Sequence, residues 1–248
     1  MKLFYSPFHT FIHKVLVTAH ECGLWDELDF VATFPFKNLE GEDQGEAYSI
    51  AAINPLSKVP TLVAPDGQVI FGSQAVCEYL DANTRARRMY PQAGSARWDA
   101  LTRLALSDTI FEGTVQMVAE QWQQPAQWNL HVFERMWPKF IRSLDWLDAE
   151  AAKGWESFDI GHAAMLHAIS YLGFRAEFYE AKDPLYPDFN WRDGRPALSD
   201  WYDEAIERPS VRAHFNVDFT GDASAARLEA AVAEVLDWQA AANRSVEA

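Results

Sequence analysis

The stretch "SKVPTLVAPDGQVIFGSQAVCEYL", residues 57–80, contains the densest run of structural signals in the chain. Two short apolar runs flank the turn sequence "PDG" at 65–67, and this arrangement predicts a β-hairpin. A run with apolar side chains at helical spacing follows over residues 73–83, with Ser73 as its predicted N-cap. The stretch therefore predicts two antiparallel strands that lead directly into a helix.

The segment before this stretch predicts a strand, a helix and a second strand. Residues 2–6 form a bulky apolar run typical of a buried strand, and residues 28–34 form a similar run. Residues 10–23 place apolar side chains three and four apart, as in an amphipathic helix. The polar run at 37–49 predicts a loop. This order predicts a small mixed sheet that starts parallel and ends in the antiparallel hairpin.

The rest of the chain shows only helical periodicity. The charged, proline-containing run at 84–92 is a predicted linker between a domain at 1–83 and a second domain at 92–248. Nine of the ten tryptophans come at or after Trp98, so the two parts differ in composition. The helices predicted after the linker are 94–121, 129–153, 158–180, 196–207 and 223–242. The pattern predicts an α/β domain followed by an all-α domain.

Composition and motifs narrow the function. The net charge of −15 disfavours nucleic acid and anionic membrane surfaces as partners, and no apolar run approaches a membrane-spanning length. No secretory signal precedes the first strand, and Cys22 and Cys77 fall in helical patterns, so we expect a cytoplasmic protein with reduced thiols. No metal-ligand motif, glycine-rich nucleotide motif or CxxC pair is present. We therefore expect no metal.

The motifs, taken in order, resemble the cytosolic glutathione S-transferases, as a bacterial-type member whose class the sequence leaves open. The resemblance spans nearly the whole chain, and the segment at 54–81 is its most specific part. The other matching segments are "KLFYSP" at 2–7, "HKVLVTAHECGL" at 13–24, "FDIGHAAMLHAISYLGFR" at 158–175 and "RPALSDWYDEAIERPSV" at 195–211. It implies a thioredoxin-like N-terminal domain, an all-helical C-terminal domain and an internal cap at Asp159.

The resemblance also implies a glutathione site. A cis Val59–Pro60 bond would direct the Val59 N–H and C=O to the cysteinyl backbone of glutathione. Ser73 would bind the γ-glutamyl carboxylate at a helix N-terminus, and Lys58 would add charge for the glycyl carboxylate. Taken alone, Pro60 shapes the start of a strand and Ser73 caps a helix.

One position departs from the family pattern. The family usually has an acid directly before this serine, where it holds the γ-glutamyl amine, and this chain has Gly72. Gln74 or an acid from a partner subunit are the candidate replacements. A missing counter-charge would weaken glutathione binding or change which thiol fits.

Four residues are candidates for activating the glutathione thiol, because a hydroxyl or thiol near the start of the first helix does this in the family. Thr10 is the first candidate, since its hydroxyl can donate to a thiolate at the helix start. His9 is the second, and Ser6 and Tyr5 follow. The alternative for Thr10 is a plain helix cap.

The electrophile site is expected between the domains, along residues 106–128. Ile110, Phe111, Met117 and Trp122 are the candidate apolar wall, although the same spacing is typical of an ordinary core. The implied function is an enzyme of detoxification that conjugates or cleaves an apolar electrophile with glutathione as co-substrate, acting as a homodimer. The alternative is a non-catalytic binding protein on the same scaffold.

Overall fold

A computed structural model describes residues 1–5, 10–32, 50–121, 127–180 and 189–213. Its four strands are β1 (Lys2–Tyr5), β2 (Asp29–Ala32), β3 (Thr61–Val63) and β4 (Val69–Phe71). They form one sheet in the order β2-β1-β3-β4, in which β1 is parallel to β2 and antiparallel to β3. The predicted mixed sheet with a parallel start is confirmed.

The hairpin closes as the sequence predicts. The N–H of Gly67 donates to the carbonyl of Ala64 at 2.9 Å, and the N–H of Gln68 donates to the Asp66 carboxylate at 3.0 Å. Gly67 has φ of 88°, a conformation that glycine adopts without a Cβ clash. The tight turn brings β3 and β4 into register and delivers the chain to the next helix.

The helices within the described residues lie close to their predicted positions. They are α1 (His13–Glu21), α2 (Ser73–Ala82), α3 (Gly94–Gln121), α4 (Leu130–Ala151), α5 (Ile160–Glu180), α6 (Pro196–Ala205) and α7 (Pro209–Arg212). A 3₁₀ turn over Thr10–Ile12 precedes α1, and Gly23, with φ of 66°, follows its C-cap. The predicted strand end at 33–34, loop at 37–49 and helix at 223–242 lie outside the described residues.

The core is continuous between the sheet part and the helical part. One cluster combines residues of β1, α1 and α2 with Leu104 of α3 and Ile160 of α5. A second cluster lies among α3, α4, α5 and α6 and includes Phe140 and Leu144. None of the described helices is long and apolar enough to cross a membrane. The shared core holds α1, α2 and α3 together, and the candidate site lies where they meet.

Candidate functional site

A buried asparagine holds the loop before β3. Asn54 is 1% exposed, and its Nδ2 donates to the Lys58 carbonyl and to Thr61 Oγ1, both at 2.9 Å. Thr61 Oγ1 donates in turn to the same carbonyl at 2.9 Å. The Val59–Pro60 peptide bond lies between these anchors and is cis, as the resemblance implies.

The backbone of Val59 is available to a ligand. Its side chain is buried, whereas its N–H and C=O make no hydrogen bond to any residue that the structure describes. Backbone groups of this kind are rarely left without a partner, protein or solvent. The Lys58 side chain beside it is exposed. A peptide-like ligand can therefore pair with Val59 as an added strand would.

Helix α2 begins without a side-chain cap. Its N-cap is Gly72, with φ of 88°, and Ser73 is the first helical residue. The prediction that Ser73 is the N-cap is wrong, because the glycine takes that position in a conformation that suits it. Ser73 is 9% exposed, and its hydroxyl has no hydrogen-bond partner among the described residues. The hydroxyl and the first N–H groups of α2 can thus serve an anion.

A cleft of about 470 Å³ opens at this helix start. Gly72 and Ser73 line one side of it, and Asp108 and Glu112 of α3 line the other. The remaining lining residues are Phe11, Gln74, Ala75 and Glu78. The cleft therefore combines a helix N-terminus with carboxylates, which suits a group that carries both charges.

A buried lysine joins three helices behind this cleft. Lys14 of α1 is 3% exposed and forms an ion pair with Oδ1 of Asp108. The other oxygen, Oδ2, accepts a hydrogen bond from Gln74 Nε2 at 2.8 Å. A buried ammonium requires such a partner, because losing it leaves an uncompensated charge. The pair thereby holds Gln74, a predicted ligand residue, against α3.

The candidates for thiol activation lie mostly beyond what the structure describes. Ser6 and His9 lie outside the described residues, and for Thr10 only the backbone, at the start of the 3₁₀ turn, is described. Tyr5 ends β1, where its half-buried ring meets the ring of Phe30 edge-on at 5.6 Å. The assignment of the activating residue stays a prediction.

The predicted electrophile wall is part of the core in this conformation. Ile110, Phe111 and Met117 are 1%, 3% and 0% exposed. The Phe111 ring lies 4.6 Å from that of Phe11 and 5.0 Å from that of Tyr171. Trp122 lies outside the described residues. The three core residues face other protein side chains, and their contact with an electrophile stays a prediction.

The thiols of Cys22 and Cys77 are buried and unreactive. Burial raises the pKa of Cys22 to about 11 and that of Cys77 to about 12, so both are protonated at neutral pH. Cys77 accepts a weak hydrogen bond from Thr18 Oγ1 at 3.6 Å.

Among the described residues, no group of three or more His, Cys, Asp or Glu side chains is placed to hold a metal ion.

Comparison with known proteins decides the family. The model "Glutathione S-transferase, N-terminal domain" matches residues 8–83, and "Glutathione S-transferase, C-terminal domain" matches residues 131–204. A solved structure of a glutathione transferase family member from Pseudomonas fluorescens Pf-5, with bound glutathione, is 31% identical, with a TM-score of 0.70. The match covers 86% of this chain and 97% of that chain. The chain belongs to the glutathione S-transferase family.

Two further relatives agree with this assignment. A Pseudomonas fluorescens Pf-5 family member with bound S-(propanoic acid)-glutathione is 30% identical, with a TM-score of 0.69 over 86% of this chain and 97% of that chain. The uncharacterized GST-like protein YibF of Escherichia coli K12 is 29% identical over 178 residues, which are 71% of this chain and 83% of YibF. The predicted architecture of this glutathione S-transferase family member, a thioredoxin-like domain followed by an all-helical domain, is confirmed.

The cleft residues that sequence reasoning missed include two acids of α3. Asp108 and Glu112 lie on α3, four residues apart, and both read as ordinary polar positions of a long helix. The sequence does contain a signal for Lys14, since this lysine directly precedes the buried run Val15–Ala19 at the N-terminal end of α1. A lysine next to such a run predicts a buried partner but does not say where that partner lies in the chain.

Proposed function

We propose that this protein binds reduced glutathione and uses its thiolate to attack an apolar electrophile, which it conjugates or cleaves. The Ser73 hydroxyl carries the proposal. It is nearly buried, lines the cleft, and makes no cap bond at the N-terminus of α2. Such a position suits a carboxylate, because the hydroxyl, the free N–H groups and the helix dipole all favour negative charge. In glutathione this carboxylate belongs to the γ-glutamyl group.

The loop before β3 supports the same ligand. The Val59 N–H and C=O, which make no hydrogen bond to the residues that the structure describes, would bind the backbone of the cysteinyl residue, next to Pro60. The exposed ammonium of Lys58 would meet the glycyl carboxylate. Gln74, held by Asp108, would stand beside the γ-glutamyl group. The relatives from Pseudomonas fluorescens, with bound glutathione and S-(propanoic acid)-glutathione, support glutathione as the co-substrate here.

The chemical step would be nucleophilic attack by the glutathione thiolate. A thiol of ordinary pKa is mostly protonated at neutral pH, so a donor at the start of the first helix must stabilise the thiolate. Thr10 is our first choice for this donor, followed by His9, Ser6 and Tyr5. The electrophile would approach along α3, near Ile110, Phe111 and Met117.

We also propose a cytoplasmic homodimer that acts in detoxification. The two-subunit state is supported by exposed apolar side chains on α3 and α4. Trp98 is 66% exposed and Trp146 is 38% exposed, and Trp98 borders an apolar groove that includes Leu101 and Leu106. Contiguous exposed apolar patches often mark protein–protein interaction sites, so a second copy of the chain is the proposed cover of this groove. Light scattering of the purified protein would show a monomer if this is wrong.

The first test is a calorimetric titration with reduced glutathione and with S-hexylglutathione. Saturable binding of both, with dissociation constants between about 1 μM and 1 mM, is the expected result. Turnover is then measured with chlorodinitrobenzene in the wild type and in Thr10→Ala. We expect turnover in the wild type and a loss in the variant that exceeds its loss of stability. Absence of binding by both ligands would overturn the proposed function, and wild-type turnover in Thr10→Ala would remove that residue from the mechanism.

The second candidate function is a non-catalytic binding protein with a degenerate site. Gly72 favours it, because that position provides no carboxylate for the γ-glutamyl amine. Binding of S-hexylglutathione without turnover of any electrophile would support this alternative over the enzyme.

A further inference from the structure

The cleft at the start of α2 contains a carboxylate that none of the described residues neutralises. Glu112 lines the cleft from α3, is exposed, and forms no ion pair or hydrogen bond within the described parts of the chain. The other two acids of the cleft are paired. Glu78 meets Arg97 at 3.3 Å, and Asp108 meets the buried Lys14.

The proposed ligand brings a matching charge. The γ-glutamyl group carries an ammonium on the same carbon as its carboxylate, so a site that binds the carboxylate places the ammonium within a few ångströms of it. Ser73 is nine-tenths buried, and its hydroxyl has no hydrogen-bond partner in the described parts of the chain, which indicates where the carboxylate binds. Gly72, at the N-cap, provides no acid there.

The helical register places Glu112 over the same cleft. Residues four apart lie on the same face of an α-helix, so Glu112 lies one turn beyond Asp108. Asp108 already touches Gln74, the neighbour of Ser73, at 2.8 Å. The face of α3 that meets the start of α2 therefore continues directly to Glu112.

We infer that Glu112 provides the counter-charge for the γ-glutamyl ammonium, in place of the acid that Gly72 lacks. The inference rests on the proposed function and assigns a specificity role within that site. Asp108 is not this group, because its charge is balanced by Lys14 and its second oxygen holds Gln74. The protein consequently selects thiols with a free α-amino group over analogues that lack it.

The test compares two ligands and four proteins by calorimetric titration. The ligands are reduced glutathione and its desamino analogue, glutaryl-cysteinyl-glycine. The proteins are the wild type, Glu112→Gln, the conservative Glu112→Asp and the control Glu27→Gln, which removes an exposed acid that is paired with Arg85 and does not line the cleft. A charge-assisted contact of this kind corresponds to a change in affinity of about 10-fold or more.

We expect Glu112→Gln to weaken glutathione binding about 10-fold while leaving the affinity for the desamino analogue unchanged. Glu112→Asp should recover part of the lost affinity, and Glu27→Gln should bind both ligands like the wild type. Equal binding of glutathione by the wild type and Glu112→Gln overturns the inference and leaves the proposed function intact, as does an equal loss for both ligands. Failure of the wild type to bind either ligand overturns the proposed function and the inference together. Because Glu112 is exposed, thermal unfolding should be unchanged in its variants.

Discussion

At the start of α2, the N-cap position and the polar side chain belong to two different residues, Gly72 and Ser73. The glycine turns the chain into α2 with φ of 88°, and the serine, one position later, keeps its hydroxyl free of the helix backbone. At the N-cap itself, the hydroxyl oxygen of a serine would accept a hydrogen bond from an N–H of the first turn. The shift by one residue is what leaves Ser73 available for a ligand.

Ser73→Ala should therefore separate binding from stability. We expect the free energy of unfolding to change by less than about 0.5 kcal/mol, because no cap bond is lost. Glutathione affinity should fall about 10-fold, since the carboxylate loses a hydrogen-bond donor. Urea unfolding and calorimetric titration measure the two quantities. A loss of stability near 1 kcal/mol with unchanged affinity would indicate a plain helix cap instead.

The two cysteines should be inert in the folded protein. Burial raises the pKa of Cys22 to about 11 and that of Cys77 to about 12, so the thiolate fraction at neutral pH is very small. We expect no reaction with Ellman's reagent in the native state and two reactive thiols after unfolding in guanidinium, as the sequence contains two cysteines. Rapid labelling of the native protein would contradict this and make a cysteine a candidate for the chemistry.

The approach of α5 to α3 depends on a single glycine. A Cβ on Gly161 would lie 2.6 Å from the carbonyl oxygen of Ala100 and 2.7 Å from the Cβ of Arg103. The first of these is a backbone atom of α3 and the second is bonded directly to the backbone, so neither can rotate away. The side chain of Arg103 continues to the Asp159 carboxylate at 2.6 Å, and Asp159 also accepts from the His162 N–H as the predicted internal cap. This contact positions α3, which carries the acids of the cleft.

Gly161→Ala should destabilise the protein by about 2 kcal/mol. The gain in helix propensity, about 1 kcal/mol, is smaller than the cost of moving two packed helices apart. The matched control is Gly113→Ala, whose Cβ would meet ring atoms of Phe140 at 2.9 Å. These atoms lie at the far end of a side chain rather than on a backbone, so we expect a smaller loss in urea unfolding. Equal losses in the two variants would show that the backbone contact has no special cost.

A carboxylate at the end of α1 connects three distant parts of the chain. Glu21 accepts hydrogen bonds from Arg208 Nε at 2.6 Å and Nη2 at 3.0 Å, from Arg87 Nη1 at 3.3 Å, and from the Ser210 hydroxyl. Its partners lie in the segment that leads into α3 and at the start of α7. Burial alone would raise the pKa of Glu21, but the hydrogen bonds from Arg208 and Ser210 outweigh it and hold that pKa below its ordinary value.

The contribution of Glu21 to stability should depend on pH. A carboxylate whose folded pKa is lowered stabilises the protein fully above its unfolded pKa of 4.5 and loses this effect as the pH falls through the folded pKa. We expect Glu21→Gln to lower the free energy of unfolding by about 2 kcal/mol at neutral pH. The difference from the wild type should shrink as the pH falls below about 4.5.

Urea unfolding at a series of pH values tests this expectation. The control is Glu27→Gln, which removes the exposed pair with Arg85 at 3.2 Å and should cost less than about 0.5 kcal/mol at any pH. A difference in the free energy of unfolding between Glu21→Gln and wild type that stays constant down to pH 3 would contradict the expectation. It would show that the charge of Glu21 is not what stabilises its contact with Arg87 and Arg208.

Local patterns were sufficient for much of the architecture. The hairpin turn at 65–67 and the helix at 94–121 follow from neighbours within a few residues, and such signals do not depend on the rest of the chain. The cap at Asp159 came from the family resemblance instead. The family resemblance supplied the cis Val59–Pro60 bond and placed Ser73 at the start of α2. The local pattern misassigned the serine as the N-cap by one residue, because Gly72 is equally acceptable there and sequence alone does not show which residue has the non-helical φ.

The positions and pairing of the charged side chains around the cleft could not be predicted from the sequence alone. Lys14 and Asp108 are 94 positions apart, and their pairing depends on how α1 and α3 pack across the shared core. The same packing stacks Phe111 against Phe11 and brings Glu112 over the start of α2. Periodicity indicates which face of a helix is buried, but not which distant segment covers it. The sequence therefore specified the elements and the family of this protein, and the folded arrangement determined which acids surround Ser73, since burial and pairing of charges exist only between segments that meet in space.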